Sequence, residues 1–525
     1  MHEINKLMTK NTIPKNSASH FDESFDVIVV GYGFAGAVAA LTAYDEGVSV
    51  LLVEKMPDPG GISICSGGGL RLPHDRDKTL EYLKATNDGT TPDTVLEAFL
   101  DEMVHIDKYV HDLAEINCAK TRRVERPGNY TFPGYDKMYF LEIDSIPDFN
   151  PEQEYPYATS LGGGPLLFKI LQDNIASRGI ETRLGVSAKR MITNEFGEVA
   201  GVWLDAGSGP RAFGARRAVI LACGGFEHAP EMQRQYWQIN PVYTAAFVGN
   251  TGDGIRMATD LGANLWHMWH FHGTYAFRHP DLPFAIRTKR LPDWVPGVRE
   301  TQAKMSWILL DGNGRRFMNE YDPYMQDTGH RALDNVNPSE MGKQSYVPCY
   351  LVLDDEGRTL YPLGKTMFND GSYKNYKWSK DNLKEVKNGL LKRAKNIEEL
   401  ARFIGCPLSK LKNSIEIWNK ACIDGKDDLG RPSKSMMPIQ KPPFYMAQVW
   451  PCVSNTQGGP VHDEKRRVLN SYDEPIPKLY TAGELGSIWG SMYLSGGNLT
   501  ECFVSGRIAG RAAAGEPLKK TRATQ

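Results

Sequence analysis

Apolar residues occur along the chain in short runs separated by glycine-rich or polar segments. The first run, at residues 25–30, is rich in valine, which is typical of a buried parallel strand. A helix is predicted at 37–45, and a second apolar run covers 48–53. The order strand, helix, strand predicts an α/β domain built on a parallel sheet.

The later apolar runs predict further helices and strands. Helices are predicted at 75–117, 166–176 and 255–260 and from Ser495 onward, and strands at 179–189, 218–225, 305–310, 349–353 and 479–484. A hairpin is predicted at 191–204 with its turn at Gly197. The charged stretch 380–425 is predicted to be helical, with its charges on a solvated face.

Composition and charge narrow the function classes. Hydrophobic residues make up 41% of the 525 positions and charged residues 24%, as in ordinary globular proteins. A net charge of −2 points to no nucleic-acid partner and no anionic membrane. Eight cysteines without a Cys-x-x-Cys pair favour buried thiols in a reducing compartment. Residues 1–23 lack the apolar core of a signal peptide, and no run approaches the ~20 apolar residues of a spanning helix. A cytoplasmic location without a transmembrane segment is therefore expected.

A Gly-x-Gly-x-x-Gly motif joins the first predicted strand to its helix. Gly31 permits the tight turn, Gly33 lets the backbone approach a pyrophosphate, and Gly36 lets the helix pack close to the strand. The helix N-terminus supplies N–H groups for the phosphates. Glu54, at the end of the second strand, is placed to accept both hydroxyls of an adenosine ribose. The whole unit predicts a dinucleotide site.

The loop after the second strand indicates which dinucleotide is bound. Gly60, Gly61 and Ser63 are followed by the small residues of 66–69. This loop resembles the flavin-contact segment of the fumarate reductase and 3-ketosteroid dehydrogenase flavoproteins, in which small residues lie against the isoalloxazine ring. The resemblance implies FAD. Members with covalent FAD carry a histidine in this loop, and its absence here predicts non-covalent FAD.

Further segments resemble FAD contacts of the same family, including a strand that ends in Gly224-Gly225, a Gly-Asp-Gly helix start at 252–254, Ala-Gly-Glu at 482–484 and Gly-Gly-Asn at 496–498. The motif and the resemblance together imply these cofactor-binding residues: Gly31, Gly33, Phe34, Ala35, Gly36, Glu54, Lys55, Gly60, Gly61, Ser63, Ser66, Gly67, Gly68, Val186, Ala222, Gly224, Gly225, Asp253, Gly254, Gly483, Glu484, Gly497, Asn498 and Leu499.

The expected fold class is α/β, with an α+β cap. It is a Rossmann-like FAD-binding domain of the glutathione-reductase type that carries an inserted substrate cap. The predicted units are a flexible arm at 1–23, an FAD-binding domain in two parts at 24–265 and 451–525, and a substrate-binding cap at 266–450.

The resemblance also bears on the substrate. Fumarate reductases clamp two carboxylates with histidine and arginine residues and deliver a proton with an arginine. At the matching positions this chain has Tyr324, Asn455 and Leu494, and the fourth position aligns on Thr274. Because a buried dicarboxylate without counter-charges is expensive, fumarate, succinate and aspartate are not expected as substrates.

Tyr493 and Ser495 stand directly before the Gly-Gly-Asn segment. This is similar to the Tyr-x-Ser arrangement of the 3-ketosteroid Δ4-(5α)-dehydrogenases, which also use a tyrosine from the cap. The resemblance implies that Tyr493 is the α-proton base, that Ser495 assists it, and that Tyr324 is the cap acid/base or relay. Tyr321 is the alternative to Tyr324. Such groups suit removal of an α-proton with hydride transfer from the β-carbon to flavin N5.

The expected substrate is an apolar cyclic ketone. A 3-ketosteroid is the first expectation, and a smaller ring such as an oxocyclohexane carboxylate is left open. Backbone N–H groups at Gly496 and Gly497 are expected to polarise the carbonyl. The same site run backwards reduces an enone. With one dinucleotide motif and no haem or iron–sulfur motif, electrons are expected to pass to or from a separate carrier, a quinone or O₂.

Two other functions are kept open. An alkene reductase for an unsaturated acid other than fumarate needs a cation near the flavin, for which Arg287, Arg290 and Arg331 are candidates. A dinucleotide-binding protein without redox turnover is the other. The histidines of 266–272 lack flanking cysteine or acidic residues, so a buried or pocket-lining role is favoured and no metal site is predicted.

Overall fold

The computed structural model describes residues 15–291, 304–321, 329–334, 336–337, 343–344, 346–373 and 376–518. Three predictions fall on other residues: Tyr324, the first 14 residues of the arm, and part of the cap. Within the described part the fold is a mixed α/β arrangement of sheets and helices, as expected.

The strands of the described residues belong to two eight-stranded sheets and four small ones. In chain order they are β1 Glu23–Val30, β2 Val50–Val53, β3 Leu70–Pro73, β4 Lys120–Glu125, β5 Met138–Ser145, β6 Ala158–Thr159, β7 Glu181–Arg183, β8 Ser187–Thr193, β9 Val199–Asp205, β10 Pro210–Leu221, β11 Tyr243–Thr244, β12 Leu265–Trp266, β13 Phe271–Phe277, β14 Ile286–Thr288, β15 Ile308–Leu310, β16 Val336–Asn337, β17 Lys343–Gln344, β18 Cys349–Asp354, β19 Gly364–Lys365, β20 Phe368–Asn369, β21 Lys392–Ala394, β22 Phe444–Thr456, β23 Gly459–Pro460, β24 Arg467–Leu469 and β25 Pro475–Thr481.

The helices lie mainly outside the sheets. In chain order the α-helices of the described residues are α1 Phe34–Asp45, α2 Arg76–Asn87, α3 Asp93–Met103, α4 Ile106–Ala114, α5 Pro151–Glu154, α6 Gly164–Ser177, α7 Pro230–Tyr236, α8 Asp253–Thr259, α9 Asp355–Leu360, α10 Leu383–Lys387, α11 Ile397–Ile404, α12 Leu408–Asp424 and α13 Gly497–Ala514. Within the described residues, none of them combines the length and the apolar character needed to cross a membrane.

The first large sheet has the order β24-β25-β10-β1-β2-β7. Strand β1 is parallel to both β10 and β2, and α1 connects β1 to β2. Helix α13 packs directly on α1. The two helices are so close that a Cβ on Gly506 would lie only 2.8 Å from the carbonyl oxygen of Ala35. This close packing brings the N-termini of α1 and α13 to one end of the sheet.

The second large sheet has the order β15-β18-β22-β13-β14-β19. The long strand β22 pairs with β13 on one side and with β18 on the other. Every residue of β13 is buried. A β-bulge between His272 and Gly273 shifts the β13–β22 register by one residue. Strands of the predicted cap therefore pair with β22, which runs on to Thr456.

Two predicted elements differ from the structure. The strand predicted at 179–189 is two strands, β7 and β8, because Gly185 turns the chain with a φ of +68°. The charged stretch 380–425 is broken into α10, α11 and α12 with β21 between the first two. Helix α11 is capped by Gly405, whose φ is +83°. Glycine adopts this left-handed conformation readily, and the helix therefore ends there.

Part of the predicted N-terminal arm is held against the first sheet. The carbonyl of Lys15 accepts from the indole N–H of Trp203 at 2.8 Å, and the carbonyl of Asn16 accepts from the N–H of Thr193 at 2.7 Å. Strand β1 begins at Glu23, two residues before its predicted start.

Candidate active site

A cavity of about 540 Å³ opens at the carboxyl ends of β1 and β2 and reaches the second large sheet. Most of the residues predicted to bind the cofactor or the substrate line it. They are Gly31, Gly33, Phe34, Ala35, Glu54, Lys55, Gly61, Ser63, Ser66, Gly67, Gly68, Val186, Ala222, Gly224, Asp253, Glu484, Tyr493, Ser495, Asn498 and Leu499. Residues from six distant parts of the sequence thus meet at one site.

Six other predicted cofactor residues are not among those that line the cavity. At each of them a Cβ would come within 3.0 Å of a neighbouring atom, so each is a glycine for reasons of packing. They are Gly36, Gly60, Gly225, Gly254, Gly483 and Gly497. At Gly225, for example, the Cβ would lie 1.7 Å from the hydroxyl oxygen of Thr456.

The N-terminus of α1 forms a phosphate-sized seat. Gly31 has a φ of +107°, and a Cβ there would lie 2.3 Å from the carbonyl oxygen of Ala222. Gly33 precedes the helix without any side-chain cap, and a Cβ on it would make only an ordinary van der Waals contact, 3.5 Å from the Ser63 hydroxyl. The first-turn N–H groups of a helix have no intrahelical acceptor, so they are available to an anion here.

The acidic end of β2 is held by backbone donors. The carboxylate of Glu54 accepts hydrogen bonds from the N–H groups of Tyr32 and Met56, both at 2.9 Å. Each carboxylate oxygen keeps a lone pair for a further donor such as a ribose hydroxyl. The neighbouring Lys55 forms an ion pair with Asp253 at 2.6 Å, which ties the end of β2 to the start of α8.

Two carboxyl groups meet under the middle of the cavity. The amide of Asn250 donates to Glu227 at 3.1 Å and to Glu484 at 3.4 Å, while the N–H of Thr456 donates to Glu484 at 2.7 Å. Burial, and then the adjacent carboxyl group, raise the pKa of Glu484 well above its usual range. Since burial also raises the pKa of Glu227, the pair favours holding one proton.

The start of α13 carries unsatisfied polar groups. Both amide atoms of Asn498 are buried and have no hydrogen-bond partner among the described residues. A flat heterocycle with alternating donors and acceptors, such as the flavin ring, would satisfy them. Together with the phosphate seat and the crowded glycines, this shows that the residues present fit FAD. FAD would span from Glu54 to Asn498.

Tyr493 lies beside the start of α13 and against a histidine. Its hydroxyl accepts a hydrogen bond from the N–H of Gly496 at 3.2 Å. The ring of His272 packs on the Tyr493 ring with 4.1 Å between centroids. The N–H of Gly497 donates to the carbonyl of Leu494. The two amides predicted to polarise a substrate carbonyl are therefore engaged within the protein, which corrects that expectation.

His272 and Asn455 form a buried polar pair at the cavity wall. Nδ1 of His272 lies 2.8 Å from Oδ1 of Asn455, and neither Nε2 of His272 nor Nδ2 of Asn455 has a partner in the described part of the chain. Burial lowers the pKa of His272 to about 3, so the ring is neutral. Because Nδ1 then donates to Asn455, Nε2 is an acceptor and the Asn455 amide is the free donor. Thr274, on which the sequence resemblance aligns the fourth clamp position, lies two residues further along β13.

The other histidines of 266–272 hold the segment that leads to Tyr493. His267 bonds to the carbonyl of Ser487 at 2.8 Å, and His270 bonds to that of Trp489 at 2.7 Å. Arg331 contacts His270 and the carbonyl of Ser491 and does not line the cavity. Among the described residues, no cluster of His, Cys, Asp and Glu could hold a metal ion.

Arginine and lysine side chains reach the cavity from the second sheet. Arg287, Lys289, Arg290 and Lys365 all line it. Tyr321 does not line it, but its ring lies under the Arg290 guanidinium at 4.7 Å. The sequence named Arg287 and Arg290 without placing them and favoured a buried or pocket-lining role for the histidines of 266–272, whereas Lys365 was not predicted. No local motif marks these residues, since strand pairing alone brings them to the site.

The stability of the fold is expected to fall as the pH drops from 6.5 toward 3, in part through His272. The unfolded chain takes up a proton near pH 6.5, whereas burial lowers the pKa of folded His272 to about 3. The contribution is therefore complete above 6.5 and lost progressively below it. Thermal unfolding midpoints across this range should depend less on pH in His272→Gln. The exposed His20→Gln should keep the wild-type slope, and equal slopes in both variants would contradict the assignment.

The fold and the site define an FAD-dependent oxidoreductase. Residues 26–499 match the FAD binding domain family, and the chain belongs to that family. It is 26% identical over 572 residues to a 3-oxosteroid 1-dehydrogenase of Mycolicibacterium smegmatis, covering 93% of this chain and 96% of the relative. It is 25% identical over 517 residues to a cytochrome-type fumarate reductase of Shewanella frigidimarina, covering 98% of this chain and 80% of the relative.

Two solved structures with a similar fold are 3-ketosteroid dehydrogenases. A 3-ketosteroid Δ1-dehydrogenase from Sterolibacterium denitrificans superposes with a TM-score of 0.76 at 25% identity, covering 94% of this chain and 99% of that one. The 3-ketosteroid Δ4-(5α)-dehydrogenase of Rhodococcus jostii RHA1 shares the fold with a TM-score of 0.64 at 21% identity, covering 96% of this chain and 100% of that one. The resemblance to the fumarate reductase and 3-ketosteroid dehydrogenase flavoproteins is thereby confirmed, as is FAD as the cofactor.

Proposed function

We propose that this protein dehydrogenates a CH–CH bond next to a ketone, or reduces the corresponding enone. The observation that carries the proposal is the position of Tyr493, whose hydroxyl lies at the cavity wall beside the N-terminus of α13. The similarity to the two 3-ketosteroid dehydrogenases supports it.

The chemistry assigned to the chain is proton transfer at the carbon next to the carbonyl. Tyr493 removes the α-proton, and the hydrogen bond from the Gly496 N–H stabilises the phenolate-like oxygen that the transfer needs. Ser495 lines the cavity two residues away and relays or orients this proton. FAD, when bound, would supply the acceptor for the hydride that leaves the β-carbon. The amide of Asn455 is the free donor that polarises the ketone.

The other assignments are part of the same proposal. FAD is held non-covalently. A tyrosine from the cap, Tyr324 or Tyr321, is the acid/base or relay for the same α-proton. The two electrons leave to, or arrive from, a separate carrier, a quinone or O₂. An arm at 1–23 and a cap at 266–450 complete the proposed division of the chain.

The test is an anaerobic one. The purified yellow protein is mixed with a saturated cyclic ketone, such as a 3-ketosteroid, and the visible flavin band is followed. Bleaching that succinate does not cause is the expected result. An absence of bleaching with the ketone, together with a failure of the corresponding enone to reoxidise the reduced protein, would contradict the proposal.

A second function is favoured by one observation. Arg287 and Arg290 line the cavity and supply the cations that an alkene reductase for an unsaturated carboxylic acid needs. That activity would show as reoxidation of the dithionite-reduced protein by acrylate or an aryl acrylate. The same experiment, run in both directions, separates the two functions.

A further inference from the structure

Strand β22 has one residue more than β13 at the point where the two strands pass the cavity. His272 pairs with Asn455, whereas the next residue of β13 pairs with Val453. Ser454 is therefore the extra residue of a β-bulge, a feature that re-aims side chains and is common beside active sites. Ser454 and Asn455 both line the cavity, although neighbouring residues of a regular strand face opposite sides of the sheet.

Both residues of the bulge bring a buried hydrogen-bond donor to the cavity wall. The Oγ atom of Ser454 and the Nδ2 atom of Asn455 are buried, and neither has a partner within the described part of the chain. Ser454 as a whole is only 9% exposed. A buried polar group without a partner costs free energy, and a ligand that supplies the missing acceptor removes this cost. The two donors therefore favour an acceptor oxygen in the cavity.

The direction of the Asn455 amide is fixed by His272. Nδ1 of His272 lies 2.8 Å from Oδ1 of Asn455. Since Oδ1 only accepts, Nδ1 carries the proton of this contact, and the neutral ring keeps Nε2 as an acceptor. The amide N–H groups of Asn455 are thereby left to a ligand. An oxygen that gains negative charge avoids the Nε2 acceptor and is attracted to the donors of Asn455 and Ser454.

The proposed reaction needs such donors. When Tyr493 takes the α-proton, the electron pair of the broken C–H bond moves onto the carbonyl oxygen, which becomes an enolate. The enone forms when this pair returns and the hydride leaves the β-carbon for FAD. The N–H groups of Gly496 and Gly497 are already engaged within the protein. The negative oxygen must therefore be stabilised by other groups.

The bulge lies next to the phenol that is assigned the α-proton. The His272 ring packs on the Tyr493 ring with 4.1 Å between centroids, and the same His272 ring contacts Asn455. A ketone oxygen that is held at the bulge would therefore keep its α-carbon close to Tyr493.

We propose that Ser454 and Asn455 form the oxyanion site of this protein. The Ser454 hydroxyl and the Asn455 amide donate to the carbonyl oxygen of the substrate and to the enolate oxygen that it becomes. The inference rests on the proposed function and adds Ser454 to it as a catalytic residue. His272 is a positioning residue that acts through Asn455. Donors that are fixed in a buried site stabilise a developing charge without reorganisation.

The first test measures the binding of an enolate mimic and needs no turnover. 4-Nitrophenolate carries a negative oxygen on a flat ring, whereas 4-nitroanisole is the neutral methyl ether of the same ring. Their dissociation constants for the oxidised holoenzyme are measured by equilibrium dialysis. Ser454→Ala and Asn455→Leu should each weaken binding of the phenolate about 10- to 100-fold, the range for a hydrogen bond to a charged group. Binding of the ether should stay within a few-fold of wild type.

The second test isolates the α-proton step. The reduced holoenzyme cannot take up a hydride, so exchange of the α-protons of a saturated 3-ketosteroid in D₂O reports enolate formation alone. Mass spectrometry of the recovered ketone measures the exchange rate. Ser454→Ala should slow this exchange by about 10²- to 10³-fold, the usual effect of losing one oxyanion donor. Anaerobic flavin reduction by the same ketone should slow by a similar factor.

The controls separate the oxyanion site from general effects on packing. Ser306→Ala is the matched control, because Ser306 is 3% exposed and does not line the cavity, and it should match wild type in both tests. His272→Phe keeps a ring against Tyr493 but loses the contact to Asn455, so it should weaken binding of the phenolate alone. His272→Gln can donate to Asn455 again and should restore part of this affinity. The FAD affinity of each variant is measured in parallel.

Three results would overturn the inference. The first is equal binding of phenolate and ether by the wild type, or unchanged phenolate binding and proton exchange in Ser454→Ala. The second is an equal loss of both ligands in Ser454→Ala, which would show that Ser454 only shapes the cavity. The third is a loss of FAD affinity with an unchanged preference for the phenolate, which would show that Ser454 serves the cofactor.

A failure of the proposed function has a different signature. The wild type would then bind the phenolate through Ser454 and Asn455, but it would neither exchange the α-protons of the ketone nor be reduced by it. This result would contradict the proposed reaction and leave the oxyanion site intact.

Discussion

Replacing Tyr493 with phenylalanine is expected to slow flavin reduction by the ketone substrate by about 10²- to 10⁴-fold, the usual contribution of a positioned acid or base. The substitution removes only the hydroxyl that accepts from the Gly496 N–H and keeps the ring that packs on His272. FAD binding should therefore stay normal. The measurement is the anaerobic bleaching rate at saturating ketone.

Tyr480→Phe is the matched control. The Tyr480 hydroxyl donates to Glu516 at 2.6 Å, and Tyr480 does not line the cavity. It should retain wild-type rates. If Tyr493→Phe also kept its rate within a few-fold, the proton would have to pass through another group, and Tyr321 and Tyr324 would become the first candidates.

Replacing Gly36 with alanine is expected to yield a protein without bound FAD. The added Cβ would lie 1.8 Å from the carbonyl oxygen of Gly31, a contact that no side chain movement can relieve. Helix α1 must then move off β1, and the first-turn N–H groups that form the phosphate seat move with it. The flavin-to-protein absorbance ratio of the purified protein measures the loss.

Substitutions at two further glycines distinguish an effect on folding from an effect on cofactor binding. A Cβ on Gly33 would make only an ordinary van der Waals contact, 3.5 Å from the Ser63 hydroxyl, so Gly33→Ala should fold. It should bind FAD at least about tenfold more weakly, because the pyrophosphate would approach this backbone. A Cβ on Gly312 would meet nothing within 4 Å, so Gly312→Ala should match wild type in both folding and FAD binding.

Full FAD occupancy in Gly36→Ala would refute the proposed phosphate seat at the N-terminus of α1.

Much of the cofactor site could be predicted because its signals are local. The Gly-x-Gly-x-x-Gly motif, the acidic end of β2 and the Gly-Gly-Asn helix start are contiguous in the sequence, and each has a mechanical requirement that only certain residues meet. Gly31 and Gly36 are examples, since backbone atoms leave no room for a Cβ at either position. Such constraints are visible without knowledge of the rest of the fold.

The sequence did not predict which of these glycines pack against distant parts of the protein. Gly225 and Gly483 are predicted to contact the cofactor, and in addition a Cβ at Gly225 would meet Thr456 and one at Gly483 would meet Ala35. A glycine that touches a ligand and one that touches another part of the protein look the same in a sequence. The partners lie more than 200 residues away, and only the packed structure reveals them.

By itself, the sequence determined the strand–helix–strand unit, its FAD-binding motif and the Tyr493-Leu-Ser495 segment beside α13, because each depends on neighbouring residues. Only the tertiary structure decided which groups face the substrate. A β-bulge in the β13–β22 pair places His272, and not Thr274, opposite Asn455, and strand pairing over 78 residues brings Arg287 beside Lys365. Register and long-range pairing follow from the burial of whole sheets, which no local pattern encodes.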